Sequence, residues 1–385
     1  MSKKNVFYVL SGSILGVGVI LAIFILTFGI NLNSGVSLED KNVTAHKELN
    51  ELKPITAGIG PNSETYLDVG DDPEKIEVVE VKQVTTGGGY RFSTVYDIPN
   101  WSPDGKYFVG VKKGKTVFFN ENGEKLKELN FYLRDWSPDS KKMICEGMWL
   151  IDLESGKKKK VIEGKGYDPA FLPSGDRVIY HSKDGVSIVD INTGEIKTLI
   201  NAPKDRFSDI LYVSDDKIFY SRGKRAGFSK HYLYRYNSII KEEHRIYPYE
   251  VYAPKYLLTP KGEIKIRAGS DPKSGDAIIT DQDGKIISEI KTFLGGDWQS
   301  RWGASFKDFS PNGKLLLFLE SEVVRDEVTT KGDLYIYSLD GRRKKKITST
   351  EDLVEYLAKW SPNGDKIIFW TKTHHNLHLI TITKK

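Results

Sequence analysis

Trp101-Ser-Pro-Asp-Gly105 is the first of seven related phrases along this chain. The others begin at Trp136, Phe171, Val213, Leu258, Phe309 and Trp360, so successive copies start 35, 35, 42, 45, 51 and 51 residues apart. Self-similarity at such a period indicates a repeat architecture. Proline favours the second position of a β-turn, Asp or Asn tolerates the third, and glycine supplies the positive φ that closes a hairpin. We therefore predict that each phrase is a tight turn between two strands of one repeat.

One repeat, residues 167–200, shows what each copy builds. Four short runs rich in β-branched or aromatic residues are separated by turn residues, and they lie at 167–171, 177–180, 186–190 and 196–200. Such runs are typical of strands. Each copy is therefore predicted to form one four-stranded blade, and the chain is predicted to be an all-β, seven-bladed β-propeller. Six blades is the alternative, because the copy at Val213 lacks both Pro and Gly.

The two ends of the repeat region are predicted to meet. The last copy leaves only 26 residues, enough for three strands that end at 377–382, whereas the β-rich run Ile76–Val84 has no blade of its own. Pairing this run outside 377–382 closes the ring and removes an exposed sheet edge.

The phrases WSPDG, WSPDS, FSPNG and WSPNG are each followed by an apolar strand, such as Lys314–Phe318 or Lys366–Trp370. In this they resemble the TolB-like, WD40-like β-propeller repeat, over roughly residues 76–385. The resemblance implies the propeller fold. It implies function only broadly, because such propellers act as protein-binding platforms, as peptidase accessory domains and occasionally as enzymes. The peptidases carry a Gly-x-Ser-x-Gly elbow, which is absent here, so peptidase activity is not expected.

The N-terminal segment predicts a membrane anchor. Residues Val6–Ile30 contain no charged side chain, enough length for a helix to cross a bilayer, and Lys3 and Lys4 precede them. Basic flanks stay cytoplasmic, so the rest of the chain is expected outside the cytoplasm. A cleaved signal peptide is the rival interpretation. We divide the chain into residues 1–31 (cytoplasmic tip and transmembrane signal anchor), 32–75 (juxtamembrane linker) and 76–385 (propeller).

The later repeats are longer, and their extra residues fall in two classes of loop: those between second and third strands, and those from one repeat to the next. Both classes project from one face of a propeller, opposite the phrase turns, and loops on a rigid scaffold often carry binding residues. Exposed Trp and Arg are enriched at binding hot spots. The candidate residues on this face are Tyr90, Arg91, Arg222, Lys224, Arg225, His231, Trp298, Arg301, Trp302, Arg325, His374 and His375.

Other polar groups suggest chemistry less directly. Asp97, Asp168 and Asp209 fall near the starts of inner strands and form a candidate channel mouth for a cation or a sugar. His374, His375 and His378 lead into a strand without a nearby Glu, so no metal site is predicted.

Lys157–Lys160 and Arg342–Lys346 both begin outer strands. They either discourage edge-to-edge association or contact an anionic polymer or lipid surface.

Composition narrows the functional classes. The chain has 57 basic and 52 acidic side chains, a balance that does not predict a nucleic-acid-binding protein. Cys145 is the only cysteine and is predicted to be buried. We expect no cofactor, no metal and no assigned catalytic residue. The expected function is to bind a protein or a cell-envelope polymer, and the alternative is a polysaccharide-cleaving lyase or hydrolase with its site at the channel mouth.

Overall fold

The computed structural model describes residues 66–88, 100–201, 206–213, 217–223, 230–237, 242–245, 251–252, 257–258, 264–268, 277–281, 285–290, 305–321, 332–349, 355–371 and 374–385. All of them lie in the compact unit Leu52–Lys385. Within these ranges no helix is long and apolar enough to cross a membrane. The predicted anchor, residues 6–30, lies outside them.

The described strands form seven sheets, numbered here in chain order. Sheet 1 contains β2 (Asn100–Trp101), β3 (Tyr107–Lys112), β4 (Lys115–Asn120) and β5 (Lys125–Leu129). Sheet 2 contains β6 (Leu133–Trp136), β7 (Lys142–Cys145), β8 (Trp149–Asp152) and β9 (Lys158–Lys160). Sheet 3 contains β10 (Tyr167–Phe171), β11 (Arg177–Ser182), β12 (Gly185–Asp190) and β13 (Ile196–Asn201). The four strands of sheet 3 confirm those predicted for residues 167–200.

Sheets 4 to 6 are also built from strands in sequential order. This holds for sheet 4 even though the degenerate phrase at Val213 follows its first strand. Sheet 4 contains β14 (Arg206–Val213), β15 (Lys217–Gly223), β16 (Lys230–Asn237) and β17 (Glu242–Arg245), and β18 (Val251–Tyr252) also pairs with β16. Sheet 5 contains β19 (Leu257–Leu258), β20 (Ile264–Ala268), β21 (Ala277–Asp281) and β22 (Ile286–Ile290). Sheet 6 contains β23 (Ser305–Phe309), β24 (Leu315–Ser321), β25 (Gly332–Ser338) and β26 (Lys344–Lys346).

Sheet 7 joins the two ends of the repeat region. It contains β27 (Glu355–Trp360), β28 (Lys366–Thr371), β29 (Asn376–Lys384) and, as its outermost strand, β1 (Ile76–Gln83), which follows a short 3-10 helix, Pro73–Lys75. β1 runs antiparallel to β29, with Ile76 opposite Lys384 and Gln83 opposite His378. The predicted closure by residues 76–84 is therefore confirmed.

The hydrophobic core lies between neighbouring sheets. Leu315, Leu317 and Ile336 of sheet 6 pack with Ile367 and Phe369 of sheet 7. Comparable clusters join sheets 7 and 1, 2 and 3, 3 and 4, and 5 and 6. Each strand is short, so it buries enough apolar surface only by packing against the next sheet, as expected of a repeat protein. Cys145 is buried, as predicted.

The phrase is a turn held together by its serine. In sheet 1 the Ser102 hydroxyl donates to Asp104 Oδ1 (2.6 Å) and accepts from the Tyr107 N–H (3.0 Å). Equivalent bonds join Ser137 to the Lys142 N–H and Ser310 to the Leu315 N–H. The serine hydroxyl thus ties the end of one strand to the beginning of the next.

Neighbouring phrase turns contact one another. The Asp104 N–H donates to Ser140 Oγ of the next turn (3.0 Å). Ser140 occupies the glycine position of its phrase at φ +58°, so its hydroxyl supplies an inter-sheet bond that glycine lacks. A β-carbon at Gly105 would lie 2.5 Å from the Asn363 amide of sheet 7. Asp104, Ser140 and Asn363 are all buried.

Residues 66–72, the last part of the predicted linker, pack along the phrase turns of sheets 6 and 7. The Leu67 N–H donates to Asn363 O (2.7 Å), and Asn312 Nδ2 donates to Asp68 Oδ1 (2.8 Å). Arg343 forms an ion pair with Asp72 (3.0 Å), and Val69 is buried in the core between these sheets. We call residues 66–72 the clasp.

Candidate functional site at the long-loop end

Each sheet has two ends with different connections. In a sequential antiparallel sheet, the turns between strands one and two and between strands three and four share one end, here the phrase-turn end. The remaining connections share the other, here the long-loop end. In sheet 7 the residues after β1 meet the β28–β29 connection, because Leu377 N donates to Thr85 Oγ1 (2.9 Å) and Gly88 N to Asn376 Oδ1 (3.3 Å). The two loop classes therefore meet there as the sequence predicted.

Most of the residues predicted for the binding face and the channel mouth lie outside the described residues. These are Tyr90, Arg91, Asp97, Lys224, Arg225, Trp298, Arg301, Trp302 and Arg325. Arg222, Asp209 and His231 belong to strands of sheet 4. The register places Asp209 opposite Ser221, Arg222 opposite Phe207, and His231 opposite Gly223. The backbone thus brings these three positions to the long-loop end of one sheet.

Asp168 lies at the start of β10, an innermost strand, beside a histidine that sequence reasoning missed. Its Oδ2 is 3.6 Å from Nδ1 of His181, slightly longer than a direct hydrogen bond. The register of β10 shifts between Tyr167 and Ala170, and Asp168 adopts φ +48°. A non-glycine residue with this φ carries local strain, which is maintained only when surrounding structure enforces it.

An ion pair lies at the same end of the neighbouring sheet. Arg134, near the start of β6, contacts Glu146 of the β7–β8 connection (Nη2–Oε1 3.3 Å). β6 and β10 are adjacent, because the Phe171 N–H donates to Asp135 Oδ2 (2.7 Å). The long-loop ends of sheets 2 and 3 therefore present Arg134 and Asp168 on neighbouring innermost strands, with Glu146 in the β7–β8 connection and His181 on β11 beside them.

The histidine group of sheet 7 is divided between solvent and core. His374 and His375 are exposed, whereas His378 is buried and stacks on Phe369 with ring centroids 4.9 Å apart. Burial, together with a smaller electrostatic effect of the nearby His374, lowers the pKa of His378 to about 4. Across the described ranges, no group of three His, Cys, Asp or Glu side chains is arranged to hold a metal ion.

The two lysine-rich outer strands have intramolecular partners. Lys158 lies over the Trp149 ring (5.2 Å to the centroid), and Lys344 over the Tyr335 ring (5.0 Å). The middle lysine of each strand reaches the next sheet: Lys159 Nζ donates to Ile191 O, and Lys345 Nζ donates to Ile76 O. The matching positions of the two tracts therefore correspond to matching links between sheets.

The partner of Asp168 carried a signal that the sequence analysis did not use. His181 lies opposite Tyr167 across the phrase hairpin. Counting outward from the phrase in both directions places the two residues near each other. An isolated histidine within a strand otherwise gives no indication of its neighbours.

Comparison with known proteins supports the fold. No family model and no curated protein matches the chain. Solved structures do match: the β-propeller domain of Cps50 (Swd1) from Myceliophteria thermophila has 12% identity and a TM-score of 0.52, with 80% of this chain and 100% of that chain covered. An oligogalacturonate lyase from Vibrio parahaemolyticus has 11% identity and a TM-score of 0.56, covering 80% and 96%. An oligogalacturonate lyase in complex with manganese has 12% identity and a TM-score of 0.53, covering 86% and 96%. At such identities the similarity establishes the β-propeller fold alone.

Proposed function

We propose that this protein is a membrane-anchored, extracytoplasmic, seven-bladed propeller of the TolB-like kind, which binds a protein or a cell-envelope polymer at its long-loop end. Each of the seven sheets corresponds to one blade in this proposal, and residues 6–30 are the anchor. Neither nucleic acid nor a cofactor has a part in it.

The observation that carries this proposal is the difference between the two ends. At the phrase-turn end, buried polar groups of neighbouring turns bond to one another, and the clasp covers the turns of sheets 6 and 7. At the long-loop end, Glu146 and Tyr167 are each 56% exposed on or beside innermost strands. The long-loop end thus offers side chains to a ligand where the described phrase turns satisfy one another.

Site-specific photo-crosslinking in the full chain tests the binding end. A benzophenone amino acid replaces Tyr167 at the long-loop end or, as the matched control, Tyr66 at the start of the clasp, which is 39% exposed. After irradiation of intact cells, we expect discrete higher-mass adducts from position 167 and none from position 66. Adducts from position 66 alone would contradict the proposal, as would adducts from neither position.

Cleavage of a polysaccharide is the second candidate function, favoured by the pairing of His181 on β11 with Asp168, which has a positive φ on the innermost strand β10. Two of the similar structures are oligogalacturonate lyases, and one of them contains manganese. The full chain in detergent is incubated with a polysaccharide panel, with and without Mn²⁺, and assayed for unsaturated products and new reducing ends. Turnover that His181→Gln abolishes would support this candidate, and absence of product from every substrate would remove it.

A further inference from the structure

One exposed aromatic ring lies at an innermost strand of the described structure. Tyr167 begins β10 and is 56% exposed. The other exposed large apolar side chains within the described ranges lie elsewhere. Tyr66 is the first residue of the clasp, and the rest are on outermost strands: Val79, Val81, Leu126, Ile196 and Ile286. Tyr167 is therefore an exposed aromatic ring that the described structure places at the long-loop end.

Polar groups lie recessed beside this ring. The Asp168 side chain is 18% exposed and that of His181 only 6%. His181 is directly opposite Tyr167 in the strand register. On the adjacent sheet, Arg134 is 16% exposed and Glu146 is 56% exposed. The local arrangement is one accessible ring and one equally exposed carboxylate, Glu146, with three less exposed polar side chains on the same two neighbouring sheets.

This arrangement fits a polar ligand. Small-ligand sites combine an aromatic wall with a few convergent polar groups. A sugar presents an apolar C–H face that packs on an aromatic ring, together with hydroxyls that bond to carboxylates, imidazole and guanidinium groups.

The charges select among sugars. Arg134 is paired with Glu146, and Asp168 adds a second carboxylate beside His181. Lys165, just before β10, and Lys183 and Asp184, just after β11, are exposed at the same end. Three cationic side chains against three carboxylates leave no excess of positive charge, so this end gives a polyanionic chain no net electrostatic attraction.

We propose that the long-loop end of sheets 2 and 3 binds a saccharide chain of low net charge, with a sugar ring on Tyr167 and its hydroxyls on Asp168, His181 and Glu146. This inference rests on the proposed function and specifies its ligand as a carbohydrate rather than a protein. Arg134 holds Glu146 in place and donates to a sugar oxygen.

The test is calorimetric titration of the full chain in detergent with cellohexaose, chitohexaose and maltohexaose, and with oligogalacturonate as the anionic comparator. We expect at least one neutral hexasaccharide to bind, and binding to weaken at least tenfold in Tyr167→Ala. Tyr167→Phe, which keeps the ring, and Tyr66→Ala, at the other end, should bind within twofold of the wild type. Asp168→Asn should weaken binding, whereas Asp176→Asn in the phrase turn of the same sheet should not.

Each outcome bears on the inference. Circular dichroism and the thermal midpoint establish that each variant is folded before it is titrated. Binding of oligogalacturonate alone, binding of no hexasaccharide, or equal losses in Tyr66→Ala and Tyr167→Ala would overturn it. Protein adducts at position 167 in the crosslinking experiment, combined with no saccharide binding, would retain the proposed function and reject this inference.

Discussion

Asp135 offers a sharp test of how the sheets are joined. It precedes the phrase residue Trp136 and accepts two backbone hydrogen bonds, from Trp136 N–H (2.9 Å) and from Phe171 N–H of the next sheet (2.7 Å). Asp308 makes the same link from sheet 6 to the Trp360 N–H (2.8 Å), but there Lys359 Nζ lies 3.4 Å from the carboxylate. The position that corresponds to Lys359 beside Asp135 is Ala170. The Asp135 link therefore lacks the neighbouring lysine.

Burial raises the pKa of Asp135 from 3.8 to about 7, although its two backbone hydrogen bonds oppose the rise. Between about pH 4 and pH 7, Asp135 is therefore protonated in the folded protein but ionised in the unfolded chain. Asp135 stabilises the fold at low pH, and this contribution is lost as the pH rises through 7. Three pKa units correspond to about 4 kcal/mol. Because the side chain keeps some solvent contact, we expect about 2–4 kcal/mol.

The assay is thermal unfolding of wild type and Asp135→Asn, followed by near-UV circular dichroism between about pH 4 and pH 8. At about 2.1 cal/mol/K per residue over roughly 320 residues, 3 kcal/mol corresponds to about 4–5 °C. Asparagine does not titrate, so the midpoint of the wild type should fall relative to that of the variant by about this amount as pH rises. Ala170→Lys, which supplies the missing cation, should reduce the effect. A midpoint difference that is constant across the pH range would refute the reasoning.

Three further substitutions test other links. Lys159→Met should destabilise the fold by about 1 kcal/mol, because it loses the hydrogen bond to Ile191 O of the next sheet. Lys157→Met, also at an exposed position, should change the thermal midpoint little. Equal effects of the two substitutions would contradict the link. Gly364→Ala should lower the thermal midpoint further than Gly194→Ala. Both glycines have φ near +80°, but only a β-carbon at position 364 collides with the clasp. Limited proteolysis should also cut the clasp sooner in Gly364→Ala, and identical losses of midpoint in the two variants would refute the packing. Ser140→Ala should lower the free energy of unfolding by about 1–2 kcal/mol, and Ser140→Gly should lower it less. Both variants lose the hydroxyl that accepts the bond from the neighbouring turn, but glycine relieves the positive φ. Greater stability of the alanine variant than of the glycine variant in thermal unfolding would contradict this role.

The local parts of the fold were predictable because their causes are local. Pro-Asp-Gly specifies a tight turn through backbone preferences alone, and the alternation of short apolar runs with such turns gave the four strands of sheet 3. The pairing of β1 with β29 was predictable for a different reason. The last repeat supplies only three strands, β27 to β29, and one unpartnered β-rich run was available as the fourth.

The contacts between sheets were not predictable in the same way. Asn312 and Asp68 are separated by 244 positions, and nothing near either residue indicates the other. The sequence therefore predicted a linker where the clasp lies. Asp168 was a candidate because it starts an inner strand, but its histidine and the nearby Arg134 and Glu146 emerge only when two sheets are placed side by side. The candidate site is a property of packing, and sequence spacing reports packing only within one hairpin.

The seam between sheet 7 and sheet 1 uses the same kinds of contact as joints within the continuous chain. At the inner strands, Trp101 Nε1 donates to Lys359 O (3.4 Å). At the perimeter, Lys82 Nζ donates to Asn122 O (3.0 Å), as Lys159 does between sheets 2 and 3. Because the seam has inner and outer links of its own, β1 is held by sheet 1 as well as by β29. Separating sheets 7 and 1 would therefore disrupt a packed interface. This interface gives the loops at the long-loop end a rigid base on both sides of the closure.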